Sequence, residues 1–335
     1  MRLIDIIAGA RPNFMKIAPI IRAFEASKAT GGQLRYRLIH TGQHYDPQMS
    51  GDFFRQLGIP EPDVNLEVGS GTQAEQTGAI MSGYERLLLE GRSDICLVVG
   101  DVTSTMACAI VAQKLHVPVA HVEAGIRSGD WRMPEEINRM VTDAITNWFF
   151  TTSEVAGSNL RRAGVDDERI FFVGNTMIDT LLGNLSRLQK PDFFDELGLK
   201  VGEYFVVTLH RPANVDQGDA FSRLLTAIGE STRGLPVVFP VHPRTAKTLR
   251  DLNEVPPIFK LVNPQPYLEF NYLVKHAKAV ITDSGGITEE TTVMSVPCLT
   301  LRDSTERPET VTIGTNELIG TNPAALRPAL DKLFA

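Results

Sequence analysis

The segment Asp283-Ser284-Gly285-Gly286-Ile287-Thr288-Glu289-Glu290 is built to meet a phosphate. The apolar run Ala279-Val280-Ile281-Thr282 before it reads as a buried parallel strand. Two glycines then let the backbone approach a ligand, and a helix-compatible stretch begins. A helix start offers unpaired N–H donors and a partial positive charge, which suits an anion. Glu290, about one turn into that helix, would repel a phosphate, so it is expected to accept hydrogen bonds from a neutral hydroxylated group such as a ribose. A pyrophosphate with a sugar on one side implies a nucleotide-linked substrate. The competing reading is an ordinary βα turn with a solvent-facing Glu pair.

The N-terminal half carries acids and cations at comparable places. Arg11 and Lys16, in Gly9-Ala10-Arg11-Pro12-Asn13-Phe14-Met15-Lys16, could meet anionic oxygens. They could equally be a surface Arg and a snorkelling Lys. Asp101 ends Val98-Val99-Gly100-Asp101 and suits a general acid/base or a helix cap. His121-Val122-Glu123-Ala124-Gly125-Ile126-Arg127 closes another strand, with Glu123 facing a cleft or pairing with Arg127. Pro134-Glu135-Glu136 is good helix-start chemistry in its own right. That role does not account for three acids and His121 converging on one strand edge. Crowded, partly dehydrated carboxylates raise one another's pKa, which supplies a proton acceptor and a proton donor near neutral pH.

In the second half, His210-Arg211 ends one strand and His242-Pro243 another. A histidine beside an arginine is biased towards neutrality and could hydrogen-bond a pyrophosphate oxygen. Gln265-Pro266-Tyr267-Leu268-Glu269-Phe270 offers an amide and a ring that could read and stack on a uracil, or simply a core Phe behind a capping loop. Arg307 adds one more cationic fork.

These residues need elements to position them, and the chain alternates strand-like and helix-like segments throughout. Leu3–Ala8, Tyr36–His40, Asp94–Gly100, Val117–Val122, Asn147–Thr152 and Ile170–Val173 read as strands. Phe14–Glu25, Thr72–Leu89, Ser104–Leu115, Pro134–Ile145 and Met177–Arg187 read as helices. Gln189-Lys190-Pro191 breaks the pattern. It resumes through strands Tyr204–Thr208, Pro236–Val241, Phe259–Val262, Ala279–Thr282 and Pro297–Leu301, and ends in a helix Pro323–Phe334. The expectation is an α/β fold of two doubly wound Rossmann-like domains, 1–188 and 189–335, facing a central cleft. In such sheets ligands bind beyond the carboxyl ends of the strands.

Composition narrows the function classes. With 335 residues and 43% hydrophobic content the chain can bury a large core. A net charge of −7 without long runs of one sign argues against nucleic acid or an anionic membrane as partner. No segment reaches the roughly 18 uninterrupted apolar residues of a membrane span. Met1-Arg2-Leu3-Ile4-Asp5-Ile6-Ile7 reads as a first strand rather than a signal peptide. Cys96, Cys108 and Cys298 sit in apolar contexts without metal-ligand spacing, as reduced core residues of a cytoplasmic protein would.

Taken in order, Gly9-Ala10-Arg11-Pro12, Thr41-Gly42-Gln43-His44, Gly100-Asp101, His121-Val122-Glu123-Ala124-Gly125, Pro134-Glu135-Glu136-Ile137-Asn138-Arg139, Gly174-Asn175-Thr176, His210-Arg211, His242-Pro243, Asp283 to Glu290 and Thr305-Glu306-Arg307-Pro308-Glu309 resemble the non-hydrolysing UDP-N-acetylglucosamine 2-epimerases. The resemblance implies the glycosyltransferase-B fold, a homodimer, and no metal or redox cofactor. It implies inversion at C2 to UDP-N-acetylmannosamine, feeding surface polysaccharide synthesis, by elimination of UDP to a glycal and re-addition. A hydrolysing epimerase releasing N-acetylmannosamine and UDP, and an epimerase of a modified UDP-2-acetamido sugar, are the alternatives.

By motif, Arg11, Lys16, His210, Gln265, Phe270, Ser284, Gly285, Gly286, Glu290 and Arg307 match the family's nucleotide contacts. Asp101, Glu123, Glu135 and His210 match its catalytic positions. Gln43, His44 and His242 are candidates for a second, activating sugar nucleotide. The chain departs from the family at Pro212-Ala213-Asn214, where many members carry charge. It departs again at Val68-Gly69-Ser70-Gly71, which lacks a basic residue expected for activation. It also ends where the family adds a last helix crossing back to the first domain, which implies a minimal form with a freer hinge.

Overall fold

A computed structural model of the protein describes residues 2–42, 54–252 and 254–334. The chain divides into two compact units, Met1–Gly183 and Asn184–Ala335. Among the described residues unit 1 holds seven strands: β1 (Arg2–Ala8), β2 (Leu34–His40), β3 (Val64–Asn65), β4 (Ile95–Val99), β5 (Val119–Val122), β6 (Trp148–Thr151) and β7 (Ile170–Phe172). They pair in parallel in the order β3-β2-β1-β4-β5-β6-β7. Unit 2 holds β8 (Phe205–Thr208), β9 (Val237–Pro240), β10 (Phe259–Val262), β11 (Ala279–Thr282), β12 (Cys298–Thr300) and β13 (Asn316–Leu318). Their order is β10-β9-β8-β11-β12-β13, again parallel.

Both sheets are doubly wound, so their strands are apolar on both faces rather than alternating. Ile4, Ile6, Ile7 and Ala8 of β1 are all buried, and so are all four residues of β11. Asp5, a carboxylate in the middle of β1, is fully buried as well. Arg37 donates to both its oxygens, at 2.8 and 2.9 Å, and Tyr84 Oη donates at 3.0 Å. A buried carboxylate is tolerable on those terms because its lone pairs are met by a bidentate fork and a hydroxyl. Helix Gly218–Ser231 and the short helix Leu326–Asp331 cover one face of the second sheet, with Phe221, Leu225, Ile228, Leu326 and Leu330 against Phe205, Val207 and Phe239.

Two strands escape the periodicity reading, β3 and β13, which are two and three residues long. The terminal segment read as one helix is three pieces: 3-10 turns at Pro323–Ala325 and Lys332–Phe334 around the helix Leu326–Asp331. Pro323 opens the first 3-10 turn and Pro328 lies in the first turn of the short helix, the places where a missing N–H is tolerated. Cys96, Cys108 and Cys298 are buried and free.

In each unit strand order reverses beside the first strand, between β1 and β4 in unit 1 and between β8 and β11 in unit 2. Those reversals are where the turns at the carboxyl ends diverge and leave room for a ligand.

Candidate active site

In unit 1 the reversal is bridged by Asn13, at the start of the helix Arg11–Ala29. Its Oδ1 accepts from the amides of Gly9 and Ala10, both at 3.0 Å, and its Nδ2 donates to Val99 O at 2.9 Å. One turn on, Lys16 forms an ion pair with Glu123, and both side chains are largely buried. Gly100 lies against this pair, with φ +68°; a Cβ there would come within 2.9 Å of Lys16 Nζ and 3.1 Å of Glu123 Oε2. The next residue, Asp101, is held through Arg139, which donates to its carboxylate, and Asn138, which donates to its carbonyl at 2.8 Å. Asp101 and Glu123 therefore stand on neighbouring turns, each with a cation beside it.

This arrangement differs from the expected crowd of acids. Glu123 pairs with Lys16 and not with Arg127. Arg127 reaches Asp143 Oδ2 at 2.7 Å instead. Asp101 does not cap the following helix, whose N-cap is Val102. Glu136 is turned inward and clasps a loop. It accepts from Ser128 N at 2.9 Å, Gly129 N at 3.1 Å and Arg139 at 2.9 Å. Burial alone would push its pKa up, but those amides and the guanidinium outweigh it and the carboxyl is held below its ordinary range. Glu135, one residue before, is exposed in the first turn of helix Pro134–Ala144. His121 is fully buried, and its ring meets Asp143 and the carbonyl of Gly100 rather than Glu123 or Glu135.

In unit 2 the organising residue is Asp283, which is fully buried at the end of β11. It accepts from His210 N at 3.1 and 3.2 Å, Arg211 N at 2.9 Å and Asn214 Nδ2 at 3.1 Å. His210 Nδ1 lies 2.9 Å from Asp283 Oδ1, and its side chain is 42% exposed, so the other ring nitrogen is the one available to a ligand. Burial pushes the Asp283 carboxyl up, and the contacts with His210, Arg211 and Asn214 more than offset it, leaving the pKa lowered. His242, after β9, sits beside His210, with ring centroids 6.0 Å apart.

The glycine turn is as read from the sequence: Ser284 is the N-cap of helix Gly285–Val293, and Thr282 Oγ1 accepts from Ser284 N at 3.0 Å. The first amides of this helix, those of Gly285 and Gly286 among them, have no intrahelical partner by geometry. The Arg302–Glu306 pair (2.7 Å) flanks the turn, with Arg302 Nη1 3.5 Å from where a Cβ of Gly285 would lie. Glu289 and Glu290 are both buried, which overturns the reading of a solvent-facing pair. Glu289 pairs with Arg307 Nε at 3.1 Å. Glu290 accepts from Tyr267 Oη at 3.0 Å, and burial raises its pKa to about 7. Gln265 donates to Asn263 O at 2.7 Å at the end of β10, and Phe270 packs against the second core layer of the unit.

Of the sequence-derived candidates, Gln43 and His44 lie outside the described residues, and so does the side chain of Arg11. Sequence reasoning missed Asp143, Arg139, Asn214 and Arg302. Asp143 and Asn214 are polar residues inside otherwise ordinary helices, and what marks them is a partner 22 or 69 residues away. Among the described residues no group of three or more His, Cys, Asp or Glu is arranged to hold a metal ion, and no helix is long and apolar enough to cross a membrane.

Two doubly wound parallel units, with acids at one strand reversal and a glycine-opened helix at the other, define a two-domain α/β protein of the glycosyltransferase-B type. The chain belongs to the UDP-N-acetylglucosamine 2-epimerase family, whose model matches residues 26–335. It is 42% identical over 339 residues to a UDP-N-acetylglucosamine 2-epimerase of Methanocaldococcus jannaschii, covering 98% of this chain and 91% of that protein. It is 39% identical over 324 residues to the UDP-2,3-diacetamido-2,3-dideoxy-D-glucuronate 2-epimerase of Pseudomonas aeruginosa, covering 96% and 88%. The crystal structure of the Methanocaldococcus jannaschii enzyme in complex with UDP-GlcNAc and UDP superposes with a TM-score of 0.90 over 99% of this chain and 92% of that one. The Neisseria meningitidis UDP-GlcNAc 2-epimerase bound to UDP-GlcNAc, 28% identical, gives 0.89 over 100% and 91%.

Proposed function

We propose that the protein interconverts UDP-N-acetylglucosamine and UDP-N-acetylmannosamine without net hydrolysis, with unit 2 holding the nucleotide and unit 1 moving the proton at C2. The observation that carries this reading is the pairing at the β4 and β5 ends. Asp101 and Glu123 flank Gly100, each beside a cation and each within a turn fixed by buried hydrogen bonds. One group takes the C2 proton as the C1–O bond to UDP breaks, giving a glycal and UDP. The other returns a proton to C2 from the opposite face as UDP adds back at C1. Two acid/base groups are the minimum for that exchange of faces.

The leaving diphosphate accumulates charge, and the unit 2 turn is suited to it. The first amides of helix Gly285–Val293 donate to its oxygens with the N-terminal end of the helix dipole behind them. His210, oriented by Asp283, and Arg307 add donors. Glu290 accepts from the ribose hydroxyls, and Gln265 and Phe270 meet the uracil. By motif, Arg11 and Lys16 are assigned to the nucleotide as well, and Glu135 serves as a third acid. Gln43, His44 and His242 are the positions for an activating second nucleotide. The protein is expected to work as a homodimer in the cytoplasm.

The test is turnover in deuterated water. Deuterium at C2 in both epimers with UDP retained supports the reading, stoichiometric free UDP supports hydrolysis instead, and no exchange refutes it. The 39% identity to the Pseudomonas aeruginosa diacetamido-glucuronate enzyme favours a second substrate, a UDP-2,3-diacetamido uronate. A panel of both sugars decides between them.

A further inference from the structure

We propose that His121 and Asp143 are positioning residues that set the two catalytic turns of unit 1 against each other. The inference rests on the roles of Asp101 and Glu123 given above. His121 is fully buried, and its ring spans two turns. Nε2 is 2.8 Å from the carbonyl of Gly100, the residue that precedes Asp101. Nδ1 is 2.8 Å from Asp143 Oδ1. Each ring nitrogen thus faces an acceptor oxygen, one of them a carboxylate. The other Asp143 oxygen accepts from Gly125 N at 3.1 Å and from Arg127 at 2.7 Å. Gly125 stands two residues after Glu123. One buried chain of hydrogen bonds therefore runs from the Asp101 turn through His121 and Asp143 to the Glu123 turn.

Backbone bonds also hold these two turns. Gly100 also donates to Val122 O at 3.0 Å, and Glu123 N and Ala124 N both donate to Phe150 O, at 2.9 and 3.2 Å. These ladder bonds fix each turn to the sheet. The His121–Asp143 bridge fixes the turns to one another, and it does so with charge-assisted bonds, about twice as strong as neutral ones. Neither residue lies among the groups proposed to touch substrate. Their contribution is to the spacing of two acids that must reach opposite faces of one carbon, where a misplacement of about 1 Å can cost about 100-fold in rate.

The experiment uses His121→Gln and the double variant His121→Gln/Asp143→Asn. Gln can donate to Gly100 but sets an acceptor against the Asp143 carboxylate. The added Asn turns a donor towards it and restores complementarity without charge. His121→Gln should lower kcat about 100-fold while KM and UDP affinity stay within about threefold, and the double variant should recover at least about tenfold of the loss. Hydrogen exchange supplies a readout independent of turnover. In His121→Gln the amides of Gly100, Glu123, Ala124 and Gly125 should exchange faster, and those of β1 should not. Unchanged exchange at both turns, or faster exchange across the whole of unit 1, overturns the proposal. So does a kcat of the single variant within about threefold of the parent. If the parent itself shows no epimerisation, the functional reading falls, and the exchange data still decide whether the bridge couples the turns.

Discussion

Glu290→Gln should change the pH dependence of stability more than stability itself. The Glu290 side chain is buried beside Tyr267 Oη and Asn271, with Glu289 one residue before it on the same helix. Burial lifts its pKa from 4.5 to about 7, the negative Glu289 adds to the rise, and Tyr267 and Asn271 oppose it. The folded value is the higher one, so the folded chain keeps a proton that the unfolded chain has shed between those limits. The stabilisation is complete below pH 4.5 and is lost as pH climbs through about 7. At about 1.4 kcal/mol per pH unit, the whole effect is about 3 kcal/mol, and about 2.5 kcal/mol of it falls between pH 5 and pH 8. Asp283, whose pKa is lowered, acts with the opposite sign at more acid pH, so the parent curve alone mixes the two. Gln imitates the protonated acid and cannot ionise, so the difference between parent and variant isolates Glu290. Urea denaturation at pH 5 and pH 8 measures it. Trp131 and Trp148, the two tryptophans, both lie in unit 1, so far-UV dichroism and amide exchange in helix Gly285–Val293 are the probes that follow unit 2. The variant should gain about 2.5 kcal/mol on the parent across that range; a difference constant to within about 0.5 kcal/mol would refute the reasoning.

Glu123→Gln should lower kcat by about 10²–10⁴ and leave UDP affinity within a few-fold, because it removes a proton-transfer group from unit 1 and touches no donor of the unit 2 turn; a large loss of UDP binding in calorimetry contradicts the assignment. Arg307→Gln should weaken UDP binding about tenfold and destabilise unit 2 by about 3 kcal/mol, because the buried Glu289 carboxylate loses the guanidinium 3.1 Å from it. Adding Glu289→Gln should restore the stability and not the affinity, and restoration of both would make Arg307 purely structural.

The alternation of short apolar runs with helical segments was enough to read two doubly wound units, because each buried parallel strand needs an uninterrupted apolar stretch and each crossover needs a helix. The glycine turn was legible for a similar reason: Gly285 and Gly286 follow such a run directly. What stayed hidden is which charge meets which. Lys16 finds Glu123 from 107 residues away, and Asp283 holds His210 across 73. Neither residue type nor local spacing encodes such a meeting, since it is set by strand order. The bare series of acids therefore suggested mutual crowding, whereas the folded chain interleaves Lys16, Arg139 and Arg127 among them. Helix propensity explained Glu135 and Glu136 equally well, and only the fold separates the exposed one from the one clasping Ser128 and Gly129.

The backbone at Glu123 argues that this carboxylate is held in place at a cost. Its φ is +72°, in the left-handed region that few residues other than glycine adopt. A glutamate there costs about 1–3 kcal/mol, and such strain persists only where the surroundings over-determine the conformation. They do so here from three sides. Phe150 O takes two successive amides, Lys16 takes the carboxylate, and Asp143 takes the amide of Gly125. Gly125 itself cannot yield, because a Cβ there would fall 2.4 Å from Ala156 O. A turn serving only to leave the strand could place glycine at 123 and avoid the strain. Keeping a charged side chain at that point, paired across the strand reversal with a lysine from the first helix, makes sense if the carboxylate itself is what the turn exists to present.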